Sequence, residues 1–278
     1  MEKYELIKRQ LLYEGIVNEE DFFSNEPIEI EQLFRTHDPE YVQRFINLEL
    51  SRKEQRKTGF VHTSELVRRE RIIAEGTKEC ALHALNEGVA MNIAGGTHHA
   101  YSDSGEGFCM LNDQAIAANY LLENGLSNQV LILDLDVHQG NGTAKIFEKE
   151  ARVFTFSMHG RNNYPLHKER SDRDVMLEDG VNDEQYLLLL QKELKLLKAL
   201  KPDFVFYQCG VDVLETDKLG KLGLTKNGAK SRDEQVFQFV KELGVPVVCT
   251  MGGGYSKKIS DIVDAHVNTF KSAVYILE

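Results

Sequence analysis

Residues Val130–Gly142 read Val-Leu-Ile-Leu-Asp-Leu-Asp-Val-His-Gln-Gly-Asn-Gly. The run Val130–Leu133 is apolar throughout, the pattern of a strand buried on both faces. Polar residues then alternate with apolar ones at Asp134, Asp136 and His138. Residues two apart on an extended strand share a side, which predicts that all three point the same way. Carboxylates and an imidazole gathered at a buried strand end need compensation, because unpaired buried charge is costly. A divalent metal supplies it, and Asp oxygen and His nitrogen both suit Zn²⁺. Taken alone, the same residues also fit a solvated loop with incidental acids.

Outward from this stretch the pattern recurs. Val89–Ala94, Val153–Ser157, Phe204–Gln208 and Val245–Thr250 read as further buried strands. Helical spacing covers Asp113–Leu122, Gly142–Phe147, Asp183–Leu200, Asn227–Leu243 and Lys257–Leu277. Ahead of the first strand the chain reads mainly as helix, over Glu2–Tyr13, Pro39–Leu48 and Ser64–Asn86. Asp38 before Pro39 is a helix start. Gly76 is a weak point where the third segment is one helix or two abutting ones. Alternating strands and helices predict an α/β fold: a mostly parallel sheet with helices on both faces, in a single domain over residues 1–278. Sites in such sheets gather beyond the carboxyl ends of the strands.

The composition is that of a globular chain: 278 residues, 42% hydrophobic and 28% charged, with a net charge of −11. The negative balance disfavours nucleic-acid binding and is compatible with a cationic substrate. The cysteines, Cys80, Cys109, Cys209 and Cys249, form no CxxC pair, which argues against a cysteine zinc site and suits a reducing compartment. The charged N-terminus is unlike a signal peptide, and no apolar run reaches the roughly 18 residues that span a bilayer. A cytoplasmic location is the expectation. Oligomeric state is not legible.

Three more polar clusters each follow a predicted strand. Gly95-Gly96-Thr97-His98-His99 carries paired histidines, which alone read as an exposed polar pair and beside a metal as a general base and acid. Gly210-Val211-Asp212 offers a turn former, a helix cap or a third metal ligand; a catalytic zinc typically keeps three protein ligands and one open position. Met251-Gly252-Gly253-Gly254-Tyr255 combines glycines that permit close backbone approach with a tyrosine. That tyrosine is either core or a hydroxyl donor for a developing oxyanion.

In this order the four segments resemble histone deacetylases and their bacterial relatives, closest to the class IV branch. The resemblance runs from Thr36-His37-Asp38-Pro39-Glu40-Tyr41, through Gly107-Phe108-Cys109-Met110-Leu111-Asn112-Asp113, to the glycine-tyrosine loop. It implies a zinc-dependent hydrolysis of acyl-lysine in a peptide or protein, or of another acylated amine such as an acetylpolyamine. Asp136, His138 and Asp212 would hold the zinc, or Fe²⁺, which tolerates the same ligands. His98 and His99 would contact the attacking water, Asp134 would orient His98, Asn141 would partner His99, and Tyr255 would donate to the oxyanion. Gly107, Phe108, Tyr164, Gly253 and Gly254 would border the substrate. A structural K⁺ would lie at Asp134, Asp136, His138, Ser157 and Met158.

The resemblance departs at two places. Asn141 stands where class I members have Asp, which would leave His99 less basic. Relatives also carry a strand and a loop ahead of the helix that begins at Met1 here; without them the site would be more open. Two rival readings are a binuclear manganese hydrolase resembling arginase and a non-catalytic module that binds acyl-lysine. The first lacks an Asp after His138, where Gln139-Gly140-Asn141 follow.

Overall fold

The computed structural model describes Glu2–Leu277; Met1 and Glu278, the ends of the expected domain, lie outside the described residues. The strands are β1 (Val89–Asn92), β2 (Val130–Asp134), β3 (Val153–Gly160), β4 (Arg173–Leu177), β5 (Phe204–Gln208) and β6 (Val247–Thr250). The helices are α1 (Glu2–Tyr13), α2 (Ile30–Leu33), α3 (Pro39–Ile46), α4 (Arg52–Thr58), α5 (Ser64–Glu87), α6 (Asp113–Glu123), α7 (Asn141–Ile146), α8 (Asp183–Leu197), α9 (Lys226–Leu243) and α10 (Ile259–Leu277).

The apolar runs become strands because alternate residues are buried on opposite faces. Val130 and Ile132 of β2 pack with Ala81 and Ala84 of α5 and Ala117 and Leu121 of α6. Leu131 and Leu133 pack on the other face with Leu190 of α8, Phe237 of α9 and Val267 of α10. Full burial of each such side chain contributes about 1.5–3 kcal/mol. Local signals set the helix ends: the Thr225 hydroxyl accepts the Gly228 N–H (3.0 Å) at the start of α9, and Gly244 closes it with φ +67°.

The sheet has six strands, all parallel, in the order β1-β6-β5-β2-β3-β4. The chain runs outward from β2 through β3 to β4, then returns to β5 on the other side of β2 and continues outward to β6. This reversal opens a crevice beyond the carboxyl ends of β2 and β5, where α/β sheets bind ligands. Both strands lead into polar clusters singled out from the sequence.

The expected single α/β domain is present, with helices on both faces and no antiparallel strand in the described sheet. One open alternative is resolved and two expectations change. The segment from Ser64 is one uninterrupted helix, in which Gly76 packs against β1: a Cβ there would lie 3.0 Å from Asn92 Nδ2. The chain before β1 holds two further short helices, α2 and α4. β4 was not foreseen. It is an edge strand whose Arg173 reaches across to the buried Glu193 of α8 (2.8 and 2.9 Å), so polarity hides it. No described helix is long and apolar enough to cross a membrane.

Candidate metal centre and catalytic cleft

β2 ends at Asp134, and the next residues bend instead of continuing the strand. The bend is built by side chains accepting backbone protons. Asp136 N–H donates to Asp134 Oδ1 (3.1 Å) and His138 N–H to Asp136 Oδ1 (3.0 Å). Leu135 and Val137 are fully buried in the core between them. The expectation that Asp134, Asp136 and His138 share one side of a strand is therefore corrected. Asp136 and His138 converge with Asp212, whereas Asp134 turns to His98.

Asp136, His138 and Asp212 are all buried and offer ligand atoms that lie within 4.8 Å of one another. His138 Nδ1 lies 3.1 Å from Asp136 Oδ1 and 3.2 Å from Asp212 Oδ2. Asp212 Oδ1 accepts the Val137 N–H (3.0 Å), but its Oδ2 is buried and receives no aligned hydrogen bond from the described residues. Burial and the Asp136 carboxylate push Asp212 up to about 7. Burial opposes charge on His138, yet its two carboxylate neighbours outweigh it and lift the imidazole to about 10. A divalent cation relieves the same excess of negative charge, so the donor set fits one. Gly253 and Gly210 are required by this packing: a Cβ would lie 1.8 Å from Asp212 Oδ2 or 2.1 Å from Asp136 Oδ2. Gly253 N–H also donates to Asp136 Oδ2 (2.9 Å).

The paired histidines stand beside this cluster, their ring centroids 4.1 Å apart. His98 Nδ1 meets Asp134 Oδ2 at 2.7 Å, and His99 Nδ1 meets Asn141 Oδ1 at 2.6 Å. Burial opposes charge on His98, but Asp134 and Asp136 outweigh it and raise the imidazole to about 9. His99 has no carboxylate partner, and burial with the nearby His98 and His138 holds it well below the usual histidine range. Asn141 also donates from Nδ2 to Tyr101 (2.9 Å) and toward Glu106 (3.5 Å). An aspartate there would lose that donation and face the Glu106 carboxylate, which accounts for the amide.

The cluster forms the floor of a cavity of about 760 Å³. Gly107 and Phe108 shape one wall with φ +54° and +66°, their N–H groups donating to Lys57 O (3.1 Å) and Thr58 O (3.0 Å). A side chain at 107 would strike His99 Cδ2 at 2.7 Å. Phe108 is 48% exposed and Tyr164 38% exposed. The Tyr164 ring stands perpendicular to His99 at 5.0 Å. Tyr255, Gly253 and Gly254 line the cavity on a loop joined to that of the histidines by Gly252 N–H to Gly95 O (3.1 Å), and the Tyr255 ring is 6.3 Å from Phe108. Burial, then Asp212, raises the Tyr255 hydroxyl above the usual tyrosine range. Asp134 and Ser157 are register partners on β2 and β3; the Ser157 hydroxyl is in contact with His159 Nδ1 (2.9 Å), and Met158 is buried.

Several supporting residues escaped the sequence reading. Lys3 of α1 lines the cavity and donates to Gly252 O (3.1 Å). Arg232 of α9, fully buried, donates to Gly210 O (2.7 Å), Cys209 O (3.2 Å) and Leu135 O (3.3 Å), beneath the loops that carry Asp136 and Asp212. Asp113 accepts from Gly96 N, Thr97 N and Thr97 Oγ1 (2.7–2.9 Å), fastening the loop of the paired histidines. The Arg232-Asp233 pair in an otherwise apolar helix face was the available signal; Lys3 had none. The Thr36–Tyr41 motif proves to be support: His37 Nε2 accepts the Asn112 N–H (3.0 Å) and the Tyr41 hydroxyl donates to Met110 O (2.8 Å).

Comparisons with known proteins agree in kind. The family description "Histone deacetylase domain" matches residues 1–270. An uncharacterized protein of Picosynechococcus is 43% identical over 96% of this chain and 89% of its own length. Histone deacetylase 2 of Arabidopsis thaliana is 34% identical over 68% of this chain; the matched stretch is half of that protein's length. The crystal structure of an acetylpolyamine aminohydrolase from Burkholderia pseudomallei superposes with a TM-score of 0.80 over 98% of this chain and 90% of its own, at 20% identity, a likeness of fold alone.

Proposed function

The chain belongs to the histone deacetylase family and is an amidohydrolase of the deacetylase type; from that premise we propose that it hydrolyses the N-acyl amide of acyl-lysine with zinc held by Asp136, His138 and Asp212. The observation that carries this reading is the buried Asp212 Oδ2, which lies 3.2 Å from His138 Nδ1 but receives no aligned hydrogen bond. It completes a three-donor cluster on the floor of an aromatic-walled cavity, next to two histidines whose partners, Asp134 and Asn141, differ in charge. Zinc bound there supplies a Lewis acid for the acyl carbonyl and lowers the pKa of water. Fe²⁺ suits the same ligands.

The residues divide the remaining work. His99 donates Nδ1–H to Asn141 Oδ1, a tautomer assigned from that contact, so its Nε2 keeps the lone pair and accepts the proton of the attacking water. The same nitrogen then returns the proton to the leaving lysine amine. His98 Nδ1 pairs with Asp134, which favours its charged form and makes it the weaker base of the two. The Tyr255 hydroxyl stays protonated and donates to the oxygen on which negative charge develops. Phe108 and Tyr164 enclose the apolar lysine stem and exclude water, the Gly107 carbonyl accepts the substrate N–H, and Gly253 and Gly254 border the acyl group. A structural K⁺ at Asp134, Asp136, His138, Ser157 and Met158 belongs to the same proposal.

The test is hydrolysis of an acyl-lysine series, from acetyl to long-chain, by zinc-loaded protein against a chelated control. Turnover that vanishes with the metal and returns on adding zinc supports the reading. Zinc-replete protein that binds these substrates without cleaving them would point instead to a binding module.

A further inference from the structure

α4 reads Arg-Lys-Glu-Gln-Arg-Lys-Thr, a composition that on its own describes a solvated helix. Its last turn, however, ends at the cavity. Lys57 O and Thr58 O hold Gly107 and Phe108, and the side chains of Arg56 and Lys57 line the opening. Lys221 lines it from another loop, which Asn163 Nδ2 fastens at Leu219 O (2.8 Å). All three cations are exposed.

Their partners are few. Lys57 is 3.9 Å from Glu106, whose carboxylate also accepts the Tyr164 hydroxyl. Among the described residues neither Arg56 nor Lys221 makes an ion pair. Of the acids nearby, Asp217 accepts from the backbone of Leu219 (2.8 Å), Gly220 (2.9 Å) and Tyr255 (2.6 Å), Glu70, deeper in, pairs with Arg69, and Asp179, next to the Gly180 whose N–H meets Lys221 O, accepts from Asn162 Nδ2 (3.3 Å). Glu2 is the exposed carboxylate that lines the same cavity. The chain carries 44 acidic and 33 basic side chains, a net charge of −11, yet the exposed charges that line this cavity are Arg56, Lys57 and Lys221 against Glu2. Such a local reversal of sign attracts anionic groups and repels cationic ones as they dock.

We propose that the mouth selects acyl-lysines whose flanking residues are acidic, with Arg56 and Lys221 reading the flanks. The proposal rests on the acyl-lysine reading above and narrows it. Acetylated polyamines, which bring positive charge close to the scissile amide, are disfavoured by the same surface.

The test compares acetyl-lysine peptides of equal length with Asp/Glu, Ser or Arg/Lys flanks, together with acetylspermidine, on the zinc-loaded protein. We expect kcat/KM to fall in the order acidic, neutral, basic. Two exposed contacts would separate acidic from basic flanks by roughly fivefold or more at low ionic strength, and added salt shrinks the gap. The Arg56→Glu/Lys221→Glu variant is read by the ratio of acidic to basic peptides, which should invert whatever its absolute rate. Equal rates across the flanks, a preference for basic flanks, or acetylspermidine as the better substrate would overturn the proposal. Fluorescence anisotropy with the same peptides decides the charge preference even if none is cleaved. A charge-ordered affinity without turnover would remove the hydrolytic reading and keep this one.

Discussion

The floor of the cavity and its mouth are built by different means. On the floor, Asp136 is met by the backbone N–H groups of His138 and Gly253 and by the His138 ring, and Asp212 by Val137 N–H. Arg232 grips the same loops from beneath through three carbonyls. Asp136 is thus held by several bonds, and both carboxylates sit on loops anchored to the buried core. At the mouth, Phe108 leans on Gly59 and Phe60, and Tyr164 is held by its Glu106 contact. Substitutions on the floor should switch function off, whereas those at the mouth should tune it.

The sharpest test of that contrast is Asp212→Ala. Removing this carboxylate takes away one of three donors. We expect metal content and turnover to fall together to the level of the chelated protein, read by atomic absorption and the acyl-lysine assay. A metal-replete, inactive variant would break the assignment of Asp212 as a ligand. Tyr255→Phe comes next: metal retained, KM little changed and kcat lower by roughly 10²–10³. Full turnover would remove the oxyanion donor from the scheme. Asn141→Ala is smaller still, with kcat down by roughly tenfold and metal unchanged, since it frees the His99 ring without touching a ligand. A loss of metal there would show that floor and histidine pair are one unit.

The same contrast decided what could be read in advance. The floor was legible because its residues follow apolar runs buried on both faces, and Leu131 and Leu133 leave little choice of strand. The bend after Asp134 was not legible: alternation predicts extension, while the chain turns because Asp134 and Asp136 capture their own backbone two residues on. Lys3 and Arg232 look like ordinary helix charges until α1 and α9 pack against the sheet, and only long-range packing carries them to the site. Arg56 and Lys221 likewise became informative only once their places at the opening, and their missing partners, were known.

Phe108 gives the smallest expected effect and the cleanest test of the mouth. Its φ of +66° lies in the left-handed region, where a non-glycine residue carries a penalty of about 1–2 kcal/mol. Phe108→Gly removes that penalty. It also gives up the edge-on contact with Phe60, centroids 5.7 Å apart, worth about 0.5–1.5 kcal/mol, and adds freedom to the unfolded chain. The loss of the ring's buried half costs a further ~1 kcal/mol or more, so the unfolding free energy should fall by about 1–2 kcal/mol. In the site, what changes is the wall. Under the proposed acyl-lysine reading the substrate stem would lose an aromatic face, so KM should rise a few-fold, while kcat should hold because the proposed metal ligands, His99 and Tyr255 keep their own supports. A collapse of kcat with little change in KM would mean that Phe108 positions the scissile amide against His99, and the division between a switching floor and a tuning mouth would have to be redrawn through the Gly107–Phe108 turn.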